Sequence, residues 1–241
     1  ECSLTGGGQK FASSTLSQGE RGLSAVWGPP QPLRMTAGVA RSEWDAVPGG
    51  TGTLARKPLG IQKVEAPLPA RDLVLPGEID LVAEGRLLHT AVPIGSGHTV
   101  LHCLTYYGFS GARSGNTTAK KANEAGIQQV FRYAAALGNV PIIAAGDFND
   151  EPNSSPALER ILDTGTWRDA ALLEAQKTEP PRSPSHTYDS AGAKSRLDLA
   201  FLNEQHGFLP VAEFGKLFRD QGIGDVQHIE RDVGMPKAVG K

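Results

Sequence analysis

The sequence has little cysteine, no long apolar run and almost no net charge, and each shortage excludes a class of protein. Two cysteines in 241 residues, Cys2 and Cys103, cannot form a disulfide scaffold or a zinc site made of cysteine alone. Apolar runs such as residues 140–145 are far shorter than the roughly 20 residues of a membrane-spanning helix, so a transmembrane protein is excluded. A net charge of −2 provides no global basic field, so any nucleic-acid surface must be local.

The remaining composition is typical of one loop-rich globular domain. Hydrophobic residues make up 39% of the chain, which is enough to bury a sizeable core. The 29 glycines and 17 prolines predict many turns. No basic and apolar signal stretch opens the chain, and with so few cysteines this favours an intracellular location, the nucleus included. The last residues, 234–241, show no periodicity and are expected to form a tail.

Short strands alternate with helices along the chain. Residues 117–137 have the clearest helical period, with Asn116 or Thr117 as the N-terminal cap and Gly138 just past the end. A second helix is predicted to begin near Ser155. Strands are predicted at residues 51–56, 81–83, 87–92, 99–107, 140–145 and 197–202. This order predicts a mixed α/β sandwich built on sheets.

The most informative stretch is Gly-Asp-Phe-Asn at 146–149, directly after an apolar strand. Alternation places the side chains of Asp147 and Asn149 on one side of the chain at the strand's C-terminal end, where open sheets hold ligands. Such a pair can orient water, accept a proton or bind a hard cation through oxygen. It can also form an Asx turn that leaves the strand.

A second acidic residue, Asp198, follows in Ser-Arg-Leu-Asp at 195–198. It interrupts an apolar strand, where a buried charge is costly unless it is paired; a solvent-facing position is the alternative. Upstream, His-Thr-Tyr at 186–188 offers a hydroxyl and an aromatic ring suited to a phosphate backbone and a sugar or base. His102, on the strand at 99–107, is expected to be solvated or satisfied in the core rather than bound to metal.

These three segments resemble, in order and approximate spacing, the motifs of the endonuclease/exonuclease/phosphatase superfamily, the DNase I-like proteins. They look most similar to retroelement-type endonuclease domains. The resemblance implies an α/β fold, a DNase I-like four-layer αββα sandwich with two mixed β-sheets that here lacks the first strand. It implies an N-terminally truncated domain over residues 1–233, which would be a monomeric domain of a larger polypeptide.

The resemblance also implies catalytic roles for individual residues. Tyr107 stands in the active-site tyrosine position. Asp147 takes the place of the residue that positions or deprotonates the nucleophile, and Asn149 that of a contact to phosphate or metal-bound water. Asp198 takes the place of the carboxylate that orients the catalytic histidine, which is His228.

The same resemblance implies a Mg²⁺ or Mn²⁺ cofactor with Glu1 and Asp225 on the metal, and Thr187 and Arg196 on the substrate. The chain departs from the family pattern in two places. The first strand is absent, and the closing Ser-Asp-His is replaced by Gly-Asp-Val-Gln-His at 224–228, which separates the aspartate from the histidine by two residues.

Three functions follow as hypotheses. The leading one is a Mg²⁺-dependent phosphodiester hydrolase, a DNA endonuclease module of a retroelement-like protein that contacts the DNA phosphate backbone and no membrane. The second is a phosphomonoesterase or lipid phosphodiesterase of the same superfamily. The third is a catalytically inactive fragment or binding module. Convergence of the candidate residues in one pocket separates the first two hypotheses from the third.

Overall fold

The computed structural model describes residues 6–18, 22–29, 50–65, 73–94, 99–112, 116–177, 179–190 and 193–203. The helices are α1 (Gly6–Gln18), α2 (Thr117–Ala136), α3 (Pro156–Asp163) and α4 (Ala170–Gln176). The strands are β1 (Leu23–Trp27), β2 (Gly52–Arg56), β3 (Gln62–Lys63), β4 (Leu87–Ile94), β5 (Thr99–Tyr107), β6 (Ile142–Asp147), β7 (Trp167–Asp169), β8 (Tyr188–Ser190), β9 (Ala193–Ser195) and β10 (Asp198–Asn203). A single 3-10 turn, Lys57–Leu59, follows β2.

The central sheet has six strands in the order β3-β4-β5-β6-β10-β7. Strands β5 and β6 run parallel, while the other neighbouring pairs in the sheet are antiparallel. Helix α2 connects β5 to β6, because a parallel pair cannot be joined by a tight turn. Two smaller pairs, β1-β2 and β8-β9, are each antiparallel. The sheet is therefore mixed, as the sequence predicts.

One face of the central sheet forms the main core. Because strand side chains alternate, Tyr106, Ala144 and Phe201 point to the same face and pack against α2 and α3. The rings of Tyr106 and Phe148 lie 5.2 Å apart, and those of Phe148 and Phe201 lie 5.3 Å apart, each edge to face. The aliphatic side chains buried with them include Leu81, Leu87, Leu104, Ile127, Val130, Ile142, Leu158 and Leu199.

The β1-β2 sheet contacts the opposite face of the central sheet. The hydroxyl of Thr53 on β2 lies 2.8 Å from that of Thr105 on β5, and Thr51 Oγ1 donates to the Gly85 carbonyl oxygen at 3.3 Å. The buried side chains on this face include Leu88, Thr90, Val92, Leu101 and Ile143. Two sheets with helices on the outer face confirm the predicted α/β sandwich class.

Helix α2 confirms the sequence prediction almost to the residue. Asn116 Oδ1 accepts from the backbone N–H groups of Thr118 and Ala119, both at 3.1 Å, which caps the helix. Gly138 follows the helix at φ +75°, a conformation in which glycine has no steric cost. Strand β6 ends at Asp147, two residues beyond the predicted end.

One predicted strand is absent from the described part of the chain, and the structure has elements that the sequence did not predict, α1 among them. The strand predicted at 81–83 is wrong: Asp80 Oδ1 accepts from the N–H groups of Val82 and Ala83, and this side-chain cap holds the segment as a turn. Leu81 is apolar because it anchors that turn in the core, not because it lies in a strand. Helix α1 was not predicted, because its Gly-Gly-Gly start is typical of a loop.

Residues 204–241 lie outside the described residues, so the predicted boundary between a domain at 1–233 and a tail at 234–241 stays a prediction. In the part of the chain that the structure describes, no helix is long and apolar enough to cross a bilayer.

Candidate active site

Three predicted catalytic residues lie side by side at one edge of the central sheet. Tyr107 pairs in register with Asp147 across the parallel strands β5 and β6, and Asp147 pairs with Asp198 across the antiparallel strands β6 and β10. Register partners on neighbouring strands point to the same face, here the face away from α2. Exposure increases along this row, since Tyr107 is buried, Asp147 is half-buried and Asp198 is exposed.

Asp147 and Asn149 form a two-bond turn at the end of β6. Asp147 Oδ1 accepts from the backbone N–H of Asn149 at 2.9 Å, and Oδ2 accepts from Asn149 Nδ2 at 3.1 Å. Asn149 has φ +50°, a left-handed conformation that asparagine adopts more readily than most residues. The Asx turn that the sequence left as an alternative is therefore present, and it fixes the orientation of the Asp147 carboxylate.

Hydrogen bonds join the ends of β5 and β6. The Gly108 N–H donates to the Asp147 carbonyl oxygen at 2.7 Å, and Asn149 Nδ2 donates to the Gly108 carbonyl oxygen at 3.3 Å. A Cβ on Gly108 would lie 2.6 Å from the carbonyl oxygen of Phe148. Only glycine allows the two segments to approach this closely, so Tyr107 and Asp147 are held next to each other.

Asn123 of α2 is a site-supporting residue that the sequence analysis missed. Its side chain is completely buried and bonds to the segments that follow both β5 and β6. The signal available in the sequence was a polar residue on the same helical face as Ile127 and Val130. Tyr106 Oη donates to Asn123 Oδ1 at 3.2 Å. Burial raises the pKa of Tyr106 well above its usual value, so this hydroxyl keeps its proton.

Arg86 is a second residue that the sequence analysis missed. One guanidinium nitrogen donates to the carbonyl oxygens of Tyr107 at 3.2 Å and Gly108 at 2.9 Å. Its Cζ lies 5.2 Å from the ring centroid of Tyr107 and 4.2 Å from that of Phe109, within cation–π range. The Tyr107 hydroxyl lies 3.1 Å from Ser110 Oγ. The positive charge of Arg86 therefore lies against the ring and backbone of Tyr107.

Thr187 holds the start of β10. Its Oγ1 accepts from the backbone N–H groups of Leu197 and Asp198, both at 3.0 Å. Its own N–H donates to the Ser195 carbonyl oxygen at 3.0 Å. These bonds give Thr187 a direct part in placing Asp198, and its predicted contact with substrate stays a prediction.

Arg196 forms an ion pair with the buried carboxylate of Asp169. One guanidinium nitrogen lies 2.8 Å from Asp169 Oδ1, and the other donates to Oδ2. Asp169 Oδ1 also accepts from the Ala171 N–H at 3.0 Å, at the start of α4. This bidentate pair ties the segment before β10 to the β7–α4 junction. The predicted role of Arg196 in substrate binding stays a prediction.

Glu1, Asp225 and His228, the predicted metal ligands and the predicted imidazole, lie outside the described residues. The described residues hold no group of three or more histidine, cysteine or acidic side chains placed to bind a metal ion. The donors at this edge of the sheet, the carboxylates of Asp147 and Asp198, are hard oxygen ligands. They fit Mg²⁺, which proteins bind through one or two carboxylates together with water and substrate phosphate oxygens.

The chain belongs to the Endonuclease/Exonuclease/phosphatase family, whose sequence profile it matches over residues 12–215, well over half of its length. This confirms the superfamily resemblance and places the chain in a family of phosphoester hydrolases. The narrower resemblance to retroelement endonucleases stays a prediction. No curated protein sequence is significantly similar to the chain.

Solved structures share the fold at low sequence identity. A humanized D. rerio TDP2 with 14 mutations is 16% identical, with a TM-score of 0.51 over 86% of this chain and 69% of its own. The 3′-5′ exonuclease NExo from Neisseria meningitidis is 15% identical, with a TM-score of 0.50 over 83% of this chain and 73% of its own. The chain spans less of other similar structures, for example 64% of the human Nocturnin catalytic domain, which is 14% identical with a TM-score of 0.48 over 81% of this chain. The likenesses to TDP2 and NExo support the DNase I-like architecture.

Proposed function

We propose that this chain is a metal-dependent phosphodiesterase that cleaves DNA at the edge of the central sheet formed by β5, β6 and β10. The observation that carries the proposal is the row of Tyr107, Asp147 and Asp198, which are partners in register on one face of three neighbouring strands. Membership of the family indicates that the bond to be hydrolysed is a phosphoester.

Asp147 is the residue suited to activate water. Phosphodiesters resist attack because they are anionic, so a hydrolase must activate the nucleophile and neutralise charge. The bonds from Asn149 hold the Asp147 carboxylate in one orientation. A positioned base of this kind contributes roughly 10²–10⁴-fold to the rate.

Asp198 and a divalent cation complete the proposed site. Asp198 would orient the imidazole of His228, which in its protonated form would stabilise charge on the phosphate. Glu1 and Asp225 are the ligands that the sequence predicts for Mg²⁺ or Mn²⁺, and the nearby carboxylates of Asp147 and Asp198 are hard oxygen donors that would join them. The ion supplies Lewis acidity when bound.

DNA is the substrate that the sequence favours. His-Thr-Tyr at 186–188 resembles the segment before the acidic strand of retroelement-type endonucleases, and an endonuclease module of a retroelement-like protein is the narrower form of the proposal. Thr187 belongs to this segment, and its hydroxyl lies beside the Asp198 backbone. The fold is also that of NExo, which is a 3′-5′ exonuclease.

The test is nicking of supercoiled plasmid in Mg²⁺ by the full chain, by Asp147→Asn and by Asp163→Asn, a matched change at an exposed acid that ends α3. Wild type and D163N are expected to nick, and D147N to lose about 10²-fold or more of the activity. EDTA is expected to abolish cleavage in every case. Cleavage that persists both in EDTA and in D147N would overturn the assignment.

Inositol phosphates and sphingomyelin are tested in parallel with the plasmid. Faster hydrolysis of either would favour the second candidate, a phosphomonoesterase or lipid phosphodiesterase of the same family. If nothing is hydrolysed in Mg²⁺ or Mn²⁺ while the chain is folded, the catalytic proposal fails and the inactive binding module is left.

A further inference from the structure

Asn123 is a polar side chain in the middle of a buried helical face. It is 0% exposed and shares that face of α2 with Ile127 and Val130. A buried amide costs free energy unless its donors and acceptors are paired. The partners of Asn123 are Tyr106 near the end of β5 and the segments that directly follow β5 and β6, which are strands of the proposed site.

The first segment is the exit from β5. Asn123 Oδ1 accepts from the backbone N–H of Phe109 at 2.9 Å and from Tyr106 Oη at 3.2 Å. Tyr107, the active-site tyrosine of the proposal, lies between these two partners. The side-chain oxygen of Asn123 therefore holds the residues on both sides of Tyr107 in place.

The second segment is the turn after β6. Asn123 Nδ2 donates to the carbonyl oxygen of Phe148 at 2.9 Å. Phe148 stands between Asp147 and Asn149, whose mutual bonds orient the proposed base. The single amide of Asn123 thus connects the exit of β5 to the turn after β6.

We propose that Asn123 is a positioning residue for hydrolysis, which sets the separation between Tyr107 and the Asp147–Asn149 turn without contacting substrate. This inference rests on the proposed function of the site. Misplacement of reacting groups by about 1 Å can cost 10²-fold in rate. An amide that fixes the positions of two such segments can therefore change the rate of hydrolysis without touching substrate.

Gln129 provides a matched control on the same helix. Its side chain is also buried, accepts from the Leu81 N–H at 3.1 Å and donates to the Ile79 carbonyl oxygen at 3.1 Å. It fastens the segment around Leu81, which holds none of the proposed catalytic residues. Replacement of either amide by leucine removes the same kind of contact from the same helix.

The experiment compares Asn123→Leu with Gln129→Leu, with Asn123→Ala as a second variant in case N123L does not fold. Native-state hydrogen exchange is measured at the amides of Phe109, Leu81 and Asn149, and kcat and KM are measured on plasmid DNA well below each unfolding midpoint. N123L is expected to speed exchange at Phe109 and Asn149 and to lower kcat at least about 10-fold with less change in KM. Q129L is expected to speed exchange at Leu81 alone and to keep the wild-type kcat.

Several results would overturn the inference. One is wild-type kcat in N123L or N123A despite fast exchange at Phe109, and another is an equal loss of kcat in Q129L. A failure of both Asn123 variants to fold while Q129L folds would assign Asn123 to stability alone. If the wild type hydrolyses no phosphoester, the proposed function fails separately, and unchanged exchange at Asn149 in the Asn123 variant would then reject the positioning role.

Discussion

Asp198 lies directly opposite Asp147 on the antiparallel strands β10 and β6. Directly opposed side chains on one sheet face interact, and like charges in this position are destabilising. The two facing carboxylates belong to the proposed site, in which a divalent cation would lie beside them. A cation bound at the proposed site would offset the repulsion between the two charges.

The first prediction concerns this pair. In EDTA, Asp198→Asn is expected to raise the free energy of unfolding by up to about 1 kcal/mol, because it removes the opposed charge. Added Mg²⁺ is expected to stabilise the wild type more than D198N, since a ligand that binds the native state stabilises it. Urea unfolding with and without Mg²⁺ measures both effects. Equal Mg²⁺ effects on the two proteins would contradict a metal site at this pair, and D163N controls for loss of an exposed charge.

The second prediction concerns Gly146 on β6. It has φ +142°, and a Cβ there would overlap the carbonyl oxygen of Tyr106 on β5. Gly146→Ala is expected to lower the free energy of unfolding by about 3 kcal/mol or more through backbone strain and overlap. Gly138→Ala is the control, because Gly138 has φ +75° with open space around it, and it is expected to cost about 1–2 kcal/mol. Equal midpoints in chemical unfolding would show that β5 and β6 are not held this close.

The third prediction concerns two histidines on the helix-facing side of the sheet. His89 Nε2 lies 2.8 Å from His102 Nδ1, and His89 Nδ1 lies 3.1 Å from Tyr133 Oη. Burial and the neighbouring His102 lower the pKa of His89 to about 4, and burial lowers that of His102. Burial raises the pKa of Tyr133 to about 12. All three side chains are therefore neutral at pH 7, and His102 has the core role expected from the sequence.

Because these histidine pKa values are lowered in the folded protein, the protein is expected to lose stability as the pH falls. The unfolded chain binds protons below a histidine pKa of about 6.5, while folded His89 binds them only near pH 4. The contribution of His89 to stability is complete above pH 6.5 and is lost as the pH drops towards 4; it amounts to at most about 3 kcal/mol. His89→Phe is expected to flatten this dependence in urea unfolding. A wild-type slope in H89F would refute the account.

The fourth prediction concerns the ion pair of Arg196 and Asp169. Arg196→Met is expected to lower the free energy of unfolding by about 3 kcal/mol, because it leaves a buried carboxylate unpaired. Lys177→Met is the control, since its 3.5 Å pair with Glu174 is exposed and worth roughly 0.5 kcal/mol or less. Thermal unfolding measures both changes. A higher KM for DNA in R196M with unchanged stability would instead favour the substrate contact predicted from the sequence.

Local patterns predicted most of the elements that carry the site. The apolar period of α2 with its Asn116 cap and the β-branched and aromatic run of β5 are signals that act within a few residues. Asp80 shows the limit of such signals, because one side-chain cap turned an apolar segment away from the predicted strand. The motifs at 146–149 and 195–198 predicted the family, which the profile match confirms.

By itself, the sequence determined the periodicity of its strands and helices and the order of its acidic motifs, because these depend on neighbours along the chain. Only the tertiary structure decided that Asp147 and Asp198, 51 residues apart, are partners in register. It also decided that Asn123 bonds to the segments after β5 and β6 and that Arg196 pairs with Asp169. Register and side-chain partners depend on which strands become neighbours in the sheet, and long-range packing sets that order.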